Sequence, residues 1–193
     1  MNIFVLCSGR CGSKTFLSAC HHMKNYTALH ESRCRLLDSE RLNYPKNHIE
    51  IDNRLSWLLG RVDKVYGDKA FYVHLKRDEK LVAESFVRRD ERRAKENIFI
   101  GIVKAYREGI LMEIPDVDPV KVAVDYYRTV HANIDLFLKD KSNTMEFFLE
   151  SWGDTVFIES IKSDFQVFWN KIEAEGDLAQ ALTVFDVKHN ASE

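Results

Sequence analysis

The stretch Asn2-Ile3-Phe4-Val5-Leu6-Cys7-Ser8-Gly9-Arg10-Cys11-Gly12-Ser13-Lys14-Thr15-Phe16 passes from an apolar run into small and basic residues, then into a helical pattern. Ile3 to Cys7 reads as a strand buried on both faces, because no polar residue interrupts it. Ser13 to Met23 reads as the helix that follows. A strand that turns through Gly9 and Gly12 directly into a helix leaves unpaired backbone N–H groups at the positive end of the helix dipole. Such a turn attracts anions. Ser13 and Thr15 add hydroxyl donors around it, and Arg10 and Lys14 add cationic ones.

Beyond this loop, short apolar runs alternate with longer amphipathic segments, the pattern of strands and crossover helices. Tyr26 to Leu29 is a weaker strand that runs into His30-Glu31-Ser32-Arg33. Residues 34 to 48 are mixed and carry Pro45, which predicts a short helix and a loop. Leu55, Leu58, Leu59 and Val62 fall at helical spacing within Arg54 to Tyr66, and Gly67 is suited to end that helix. Ala70 to Leu75 is the second clear strand, and a helix begins at Lys80. Further helices are expected over Asn97 to Arg107, from Pro119 to about Leu138, along the stripe Ile161, Phe165, Trp169 and Ile172, and along Leu178, Ala181, Leu182 and Phe185. Thr144 to Leu149 alternates weakly as a late strand. The sum is a three-layer α/β/α domain spanning residues 1–193, with a central parallel sheet and a P-loop-like strand-loop-helix at its start.

With 45% hydrophobic and 30% charged residues the chain has the make-up of a soluble globular protein. A net charge of −2 argues against general binding to nucleic acid or to an anionic membrane. No apolar run approaches the roughly 20 residues that cross a bilayer, and no basic region or cleavage site precedes the first strand, so a cytoplasmic location is expected. Cys7, Cys11, Cys20 and Cys34 all fall early in the chain, a poor framework for disulfides. Zinc is the sharper reading of Cys7, Cys11 and Cys20-His21-His22, but Cys7 ends an apolar strand and Cys20 shares a face with Phe16 and Leu17. No metal is expected. Arg88-Arg89-Asp90-Glu91-Arg92-Arg93 reads as a solvated helix face. Trp57, Trp152 and Trp169 read as packing anchors, and His74, His131 and His189 lack metal-like spacing.

Ser13-Lys14-Thr15 invites comparison with the Gly-Lys-Thr that ends a Walker A loop. Counted back from Lys14, both required glycine positions hold serine, Ser8 and Ser13. No other apolar run ends in the aspartate that would hold magnesium; Ala70 to Lys76 is followed by Arg77 before Asp78. A cation thus stands where a nucleotide kinase needs an acid. Arg77 at a strand end and Ser85, eight residues on in the next helix, are instead placed to grip a phosphate.

These residues together resemble the sulfotransferases that use 3′-phosphoadenosine-5′-phosphosulfate (PAPS). In that family a strand-loop-helix carrying Lys or Arg, any residue, Gly and two hydroxyl residues holds the 5′-phosphosulfate. A later strand ending in Arg-Asp, with Ser eight residues after the Arg, holds the 3′-phosphate. Arg10-Cys11-Gly12-Ser13 matches the first motif up to Lys14, which replaces the second hydroxyl and is followed by Thr15. Arg77 and Ser85 match the second. Ile51 to Gly67 resembles the helix before the 3′-phosphate strand, and Phe168-Trp169-Asn170-Lys171-Ile172 resembles the aromatic C-terminal helix of bacterial members. The chain is short for the family and lacks the Arg-Lys-Gly type of C-terminal motif.

The resemblance implies in-line transfer of a sulfuryl group from PAPS to a hydroxyl or amine of a small-molecule or carbohydrate acceptor, with no metal. Arg10, Cys11, Gly12, Ser13, Lys14, Thr15, Arg77 and Ser85 would bind the donor, and Arg10 would stabilise the departing phosphate. The proton acceptor is expected to be Glu31, with His30 orienting it, since both follow the second strand into the same crevice. A P-loop nucleotide or small-molecule kinase, and a noncatalytic nucleotide-binding protein, are the alternatives. The acceptor pocket is expected from residues 34 to 48 and the helices after Arg88.

Overall fold

Among the described residues five strands form one sheet in the order β2-β3-β1-β4-β5, and every neighbouring pair is parallel. The strands are β1 (Ile3–Leu6), β2 (Thr27–His30), β3 (His48–Ile51), β4 (Phe71–Lys76) and β5 (Thr144–Phe148). The helices are α1 (Ser13–Cys20), α2 (Leu59–Tyr66), α3 (Glu79–Lys95), α4 (Ile102–Ala105), α5 (Pro119–Leu138), α6 (Thr155–Lys171) and α7 (Leu178–Thr183). This computed structural model describes residues 1–95, 101–112, 116–149 and 155–186. Trp152, His189 and the start of the helix expected from Asn97 lie outside the described residues.

Adjacent side chains on β4 show how the sheet is covered on both faces. Phe71 packs on Phe168 of α6, while Tyr72 meets Phe137 of α5 edge-on at 5.1 Å. Successive strand residues point to opposite faces, so α6 and α5 lie on opposite sides of the sheet. On the α6 side, Phe16 of α1 joins Phe147, Phe165 and Phe168 in a ring cluster that is fully buried. Each such side chain contributes roughly 1.5–3 kcal/mol by leaving water. On the other side, α3 packs along α5, and Phe4 sits among Tyr44, Tyr66 and Tyr72. The three-layer arrangement expected from the alternating pattern is therefore present.

Strand β3 is the element the periodicity did not predict, because its sequence is His-Ile-Glu-Ile. Its polar side chains are buried all the same: His48 is 1% exposed and Glu50 0%. A closed hydrogen-bond network makes this tolerable. His48 Nε2 lies 2.9 Å from Glu50 Oε2, Thr27 Oγ1 lies 2.9 Å from His48 Nδ1, and Ser32 donates to Glu50 through its backbone N–H and its hydroxyl. The helix expected over Arg54 to Tyr66 is also divided. Asn53–Trp57 is a 3-10 turn, and α2 begins only after Leu58 leaves helical geometry at φ −119° and ψ 18°. The expected helix past Asn97 is α4, continued by a π-helical turn over Tyr106–Ile110.

Strand order reverses about β1: the chain goes to β2 and β3 on one side, then to β4 and β5 on the other. Ligands of open parallel sheets bind beyond the carboxyl ends of the strands at such a switch point. The loop after β1 and the ends of β2, β3 and β4 meet there. Among the described residues no helix is long and apolar enough to cross a membrane.

Candidate functional site

A crevice of about 300 Å³ opens at this switch point, lined by Gly9, Arg10, Gly12, Ser13, Lys14 and Thr15 from the first loop. His30 and Glu31 after β2, Asn53 after β3, Arg77 after β4, and Phe86, Arg89 and Arg92 of α3 complete it. The loop is shaped by three consecutive or near-consecutive left-handed residues, Gly9 (φ 89°), Arg10 (φ 59°) and Gly12 (φ 85°). Gly12 caps α1 with no side-chain hydrogen bond to the first turn, and the residues of that turn, Ser13, Lys14 and Thr15, line the crevice. The left-handed φ of 85° favours glycine at position 12, and a Cβ there would lie 2.5 Å from Leu149 Cδ1, so that side chain would have to shift.

The underside of the loop is held rigidly. Tyr126 donates its hydroxyl to the Ser8 carbonyl at 2.8 Å, Asn53 Nδ2 donates to the same carbonyl at 3.3 Å, and Ser56 donates to the Cys7 carbonyl at 3.0 Å. His131 Nε2 lies 3.2 Å from Ser8 Oγ, and His74 Nε2 lies 2.7 Å from His131 Nδ1. Both imidazoles are buried. Burial pushes His74 down to about 2 and His131 down to about 4, so both are neutral.

Arg10 Nε donates to Ser85 Oγ at 2.8 Å, and Arg77 Nη1 donates to the Arg10 carbonyl at 3.3 Å. The three residues read from two distant motifs thus form one unit. Tyr127 fixes the end of β4 by donating to the Arg77 carbonyl at 2.8 Å. Burial lowers the affinity of Arg10 for its proton, and repulsion from Arg89, Arg92, Arg77 and Arg88 lowers it further. Arg77 and Arg89 are lowered too, chiefly by burial. Cations crowded in this way favour an anionic ligand, because each gains from the negative charge and loses repulsion from the others.

Glu31 sits at the crevice in a left-handed conformation, φ 50°, and its Oε2 is 2.6 Å from Arg54 Nη1. His30 turns the other way, with Nε2 3.1 Å from Ser13 Oγ. The orienting partner of Glu31 is therefore Arg54 rather than His30. Cys11, expected among the donor-binding residues, turns its side chain away from the crevice. Its side chain is fully buried next to Cys7, and Cys11 together with burial pushes the Cys7 thiol up. Only the Cys11 backbone is available to a ligand. Ser85 is 8% exposed and lies behind Arg10, not on the open wall.

Against the expectation of a wholly solvated helix face, Arg89 and Arg92 line the crevice, Arg89 half-buried and Arg92 exposed at its edge. Their spacing carries the signal: Ser85, Arg89 and Arg92 follow an i, i+4, i+7 stripe, so placing Ser85 at the site places the two arginines there. Asn53 had no such signal, since it follows the unpredicted strand β3. That strand also corrects the expectation that no further apolar strand ends in aspartate, because Asp52 follows Ile51 directly beside β1. Asp52 is nonetheless 0% exposed, with Oδ2 2.5 Å from Arg41 Nη2 and Oδ1 accepting from Arg54 N at 2.8 Å. Its carboxylate is spent within the fold and does not line the crevice.

The backbone resembles the sulfotransferase domain from the curacin biosynthetic pathway, with a TM-score of 0.62 over 93% of this chain and 76% of that one, at 14% identity. The chain has that α/β fold. No family model and no curated protein matches the sequence.

Proposed function

We propose that the protein transfers a sulfuryl group from PAPS to an acceptor hydroxyl or amine. The observation that carries this is the joining of Arg10, Arg77 and Ser85 beside the loop that leads into α1. The residues fit a nucleotide carrying two separate phosphate groups. Five cations, Arg10, Lys14, Arg77, Arg89 and Arg92, line the described crevice against one carboxylate, Glu31. The buried Oδ1 of Asn53 has no hydrogen-bond partner, which suits a polar ligand at the same wall.

In this reading Arg77 and the inward arginines of α3 hold the 3′-phosphate, and Ser85 positions Arg10 from behind. The loop N–H groups, Ser13 and Thr15 hold the 5′ end, where PAPS supplies an activated sulfuryl group. Arg10 spans the two, since its side chain meets Ser85 while its backbone belongs to the loop. Lys14 and Arg10 place positive charge where the bridging oxygen becomes negative, which favours the transition state over the ground state. Glu31 accepts the acceptor's proton through Oε1, because Arg54 occupies Oε2. His30 holds the Ser13 hydroxyl in place.

The kinase alternative needs an acid for magnesium at the crevice, and the strand-end acid, Asp52, is sealed against Arg41. Adenosine 3′,5′-bisphosphate without magnesium is expected to raise the melting temperature, as any ligand selective for the native state does. Stabilisation by ATP with magnesium and none by the bisphosphate would overturn the proposal.

A further inference from the structure

The acceptor's chemical class is legible in a second cavity, and this step rests on the transfer reading above. A cavity of about 490 Å³ lies beside the crevice, lined among others by Leu36, Leu37, Trp57, Ile102, Tyr106 and Ile110. It is within the size range of small-molecule sites. Four of its apolar residues are left open: Leu37 is 78% exposed, Ile110 60%, Trp57 39% and Leu36 37%. They come from three separate segments, the one after β2, the 3-10 turn after β3, and the π-helical turn after α4. Convergence of three segments to expose apolar surface into one concavity marks a binding site.

The two cavities share a wall. Glu31 lines the crevice, Arg54 lines the second cavity, and the two are joined at 2.6 Å. Trp57 stacks on Tyr126 with ring centroids 6.3 Å apart, and Tyr126 holds the Ser8 carbonyl of the loop. A molecule seated on Trp57 shares its cavity with Arg54, the residue that is paired with Glu31. The arginines of this cavity have assigned partners: Arg41 has Asp52 and the Tyr44 hydroxyl, Arg54 has Glu31, and Arg61 donates to the Asp38 carbonyl. The remaining wall is aliphatic and aromatic and offers little to the many hydroxyls of a sugar, which would lose water without compensation.

We infer that the acceptor is an alcohol or phenol on a hydrophobic skeleton, seated between Trp57, Leu37 and Ile110 with its hydroxyl at Glu31, and not a carbohydrate. The step balances within the stated partners. The acceptor oxygen forms a bond to sulfur as the bond from sulfur to the phosphate oxygen of PAPS breaks. The hydroxyl proton passes to Glu31, and adenosine 3′,5′-bisphosphate leaves with the electron pair.

The test uses the whole protein with 2-naphthol and glucosamine as probes, in wild type, Leu37→Asp and Ile110→Asp. Both substituted side chains are largely exposed, so the fold should tolerate the change. Calorimetry reads adenosine 3′,5′-bisphosphate binding, then 2-naphthol binding to the bisphosphate complex; mass spectrometry reads sulfation of each probe by PAPS. The expected result is binding and sulfation of 2-naphthol only. Each substitution should weaken 2-naphthol binding by about tenfold, the loss of one apolar side chain's burial, with bisphosphate binding unchanged. Sulfation of glucosamine, or 2-naphthol binding indifferent to both substitutions, with bisphosphate binding intact, overturns the acceptor class and leaves the transfer reading standing. Failure of wild type to bind the bisphosphate overturns the transfer reading and the acceptor assignment with it.

Discussion

Lowering the pH from 7 to 5 should destabilise the protein through one buried pair, His74 and His131. Both sit below the ordinary histidine value of about 6.5, His74 at about 2 and His131 at about 4. For groups depressed in the native state, the stability is fully present above the unfolded pKa and is lost as pH falls toward the native one. Burial is the leading cause at both, followed at His74 by His131 and Lys76, and at His131 by Lys76. Asp135 opposes this with Oδ1 3.1 Å from His74 Nδ1, but it is 56% exposed and shared with Lys76, which Glu146 also holds. Burial wins. Below pH 6.5 each histidine of the unfolded chain becomes largely protonated while the native pair stays neutral, so the effect accumulates over ~1.5 pH units. At ~1.4 kcal/mol per unit and histidine, the loss is ~4 kcal/mol, a large part of a domain's stability of ~5–15 kcal/mol. Urea unfolding followed by tryptophan fluorescence at pH 7 and 5 measures it, with His131→Gln as the control that removes one titrating member. The wild type should lose about twice what the variant loses to this pair. An equal loss in both proteins would refute the reasoning, because all other groups titrate alike in the two.

Arg77→Ala removes one charge-assisted donor and should weaken adenosine 3′,5′-bisphosphate binding by about 10- to 100-fold, ~1.5–3 kcal/mol, in calorimetry, while the melting temperature of the free protein changes little. Gly12→Ala forces a left-handed alanine, at ~1–2 kcal/mol, and a clash with Leu149, so it should lower both the melting temperature and bisphosphate affinity. Glu31→Gln should reduce sulfuryl transfer by roughly 100-fold or more in turnover with bisphosphate affinity preserved; an unchanged turnover removes Glu31 as proton acceptor.

Two residue patterns made the fold and much of the crevice readable. The uninterrupted apolar run before Gly9 marked a central strand, and the pair Arg77 and Ser85 marked where a second strand delivers residues to the same edge. What stayed hidden was hidden by burial of polar groups. His48 and Glu50 look like surface residues in sequence, yet they satisfy each other inside the sheet, and with β3 unrecognised the positions of Asp52, Asn53 and Trp57 had no frame. Cys11 shows the reverse case: its place in the loop suggested a ligand contact, whereas alternation in a tight turn sends its side chain inward. The inward arginines of α3 were countable from Ser85 but were masked by the flanking Arg88 and Arg93.

The carbonyls of the loop are engaged from below, which suits it to the proposed role. Tyr126 and Asn53 take the Ser8 carbonyl and Ser56 takes that of Cys7, while His131 meets the Ser8 hydroxyl. With those contacts filled from the core, the loop N–H groups have little freedom to turn away from the crevice. Donors fixed before an anion arrives need no reorganisation when charge shifts during transfer, which is the condition for strong electrostatic stabilisation. The same contacts reach outward, since Tyr126 also carries Trp57 and Asn53 lines the crevice wall. In the proposed reading, rigidity at the phosphate end and placement of the acceptor thus depend on one shared side chain. Tyr126→Phe, which keeps the ring and removes only the hydroxyl, should therefore loosen the loop and weaken bisphosphate binding while leaving 2-naphthol affinity nearly intact.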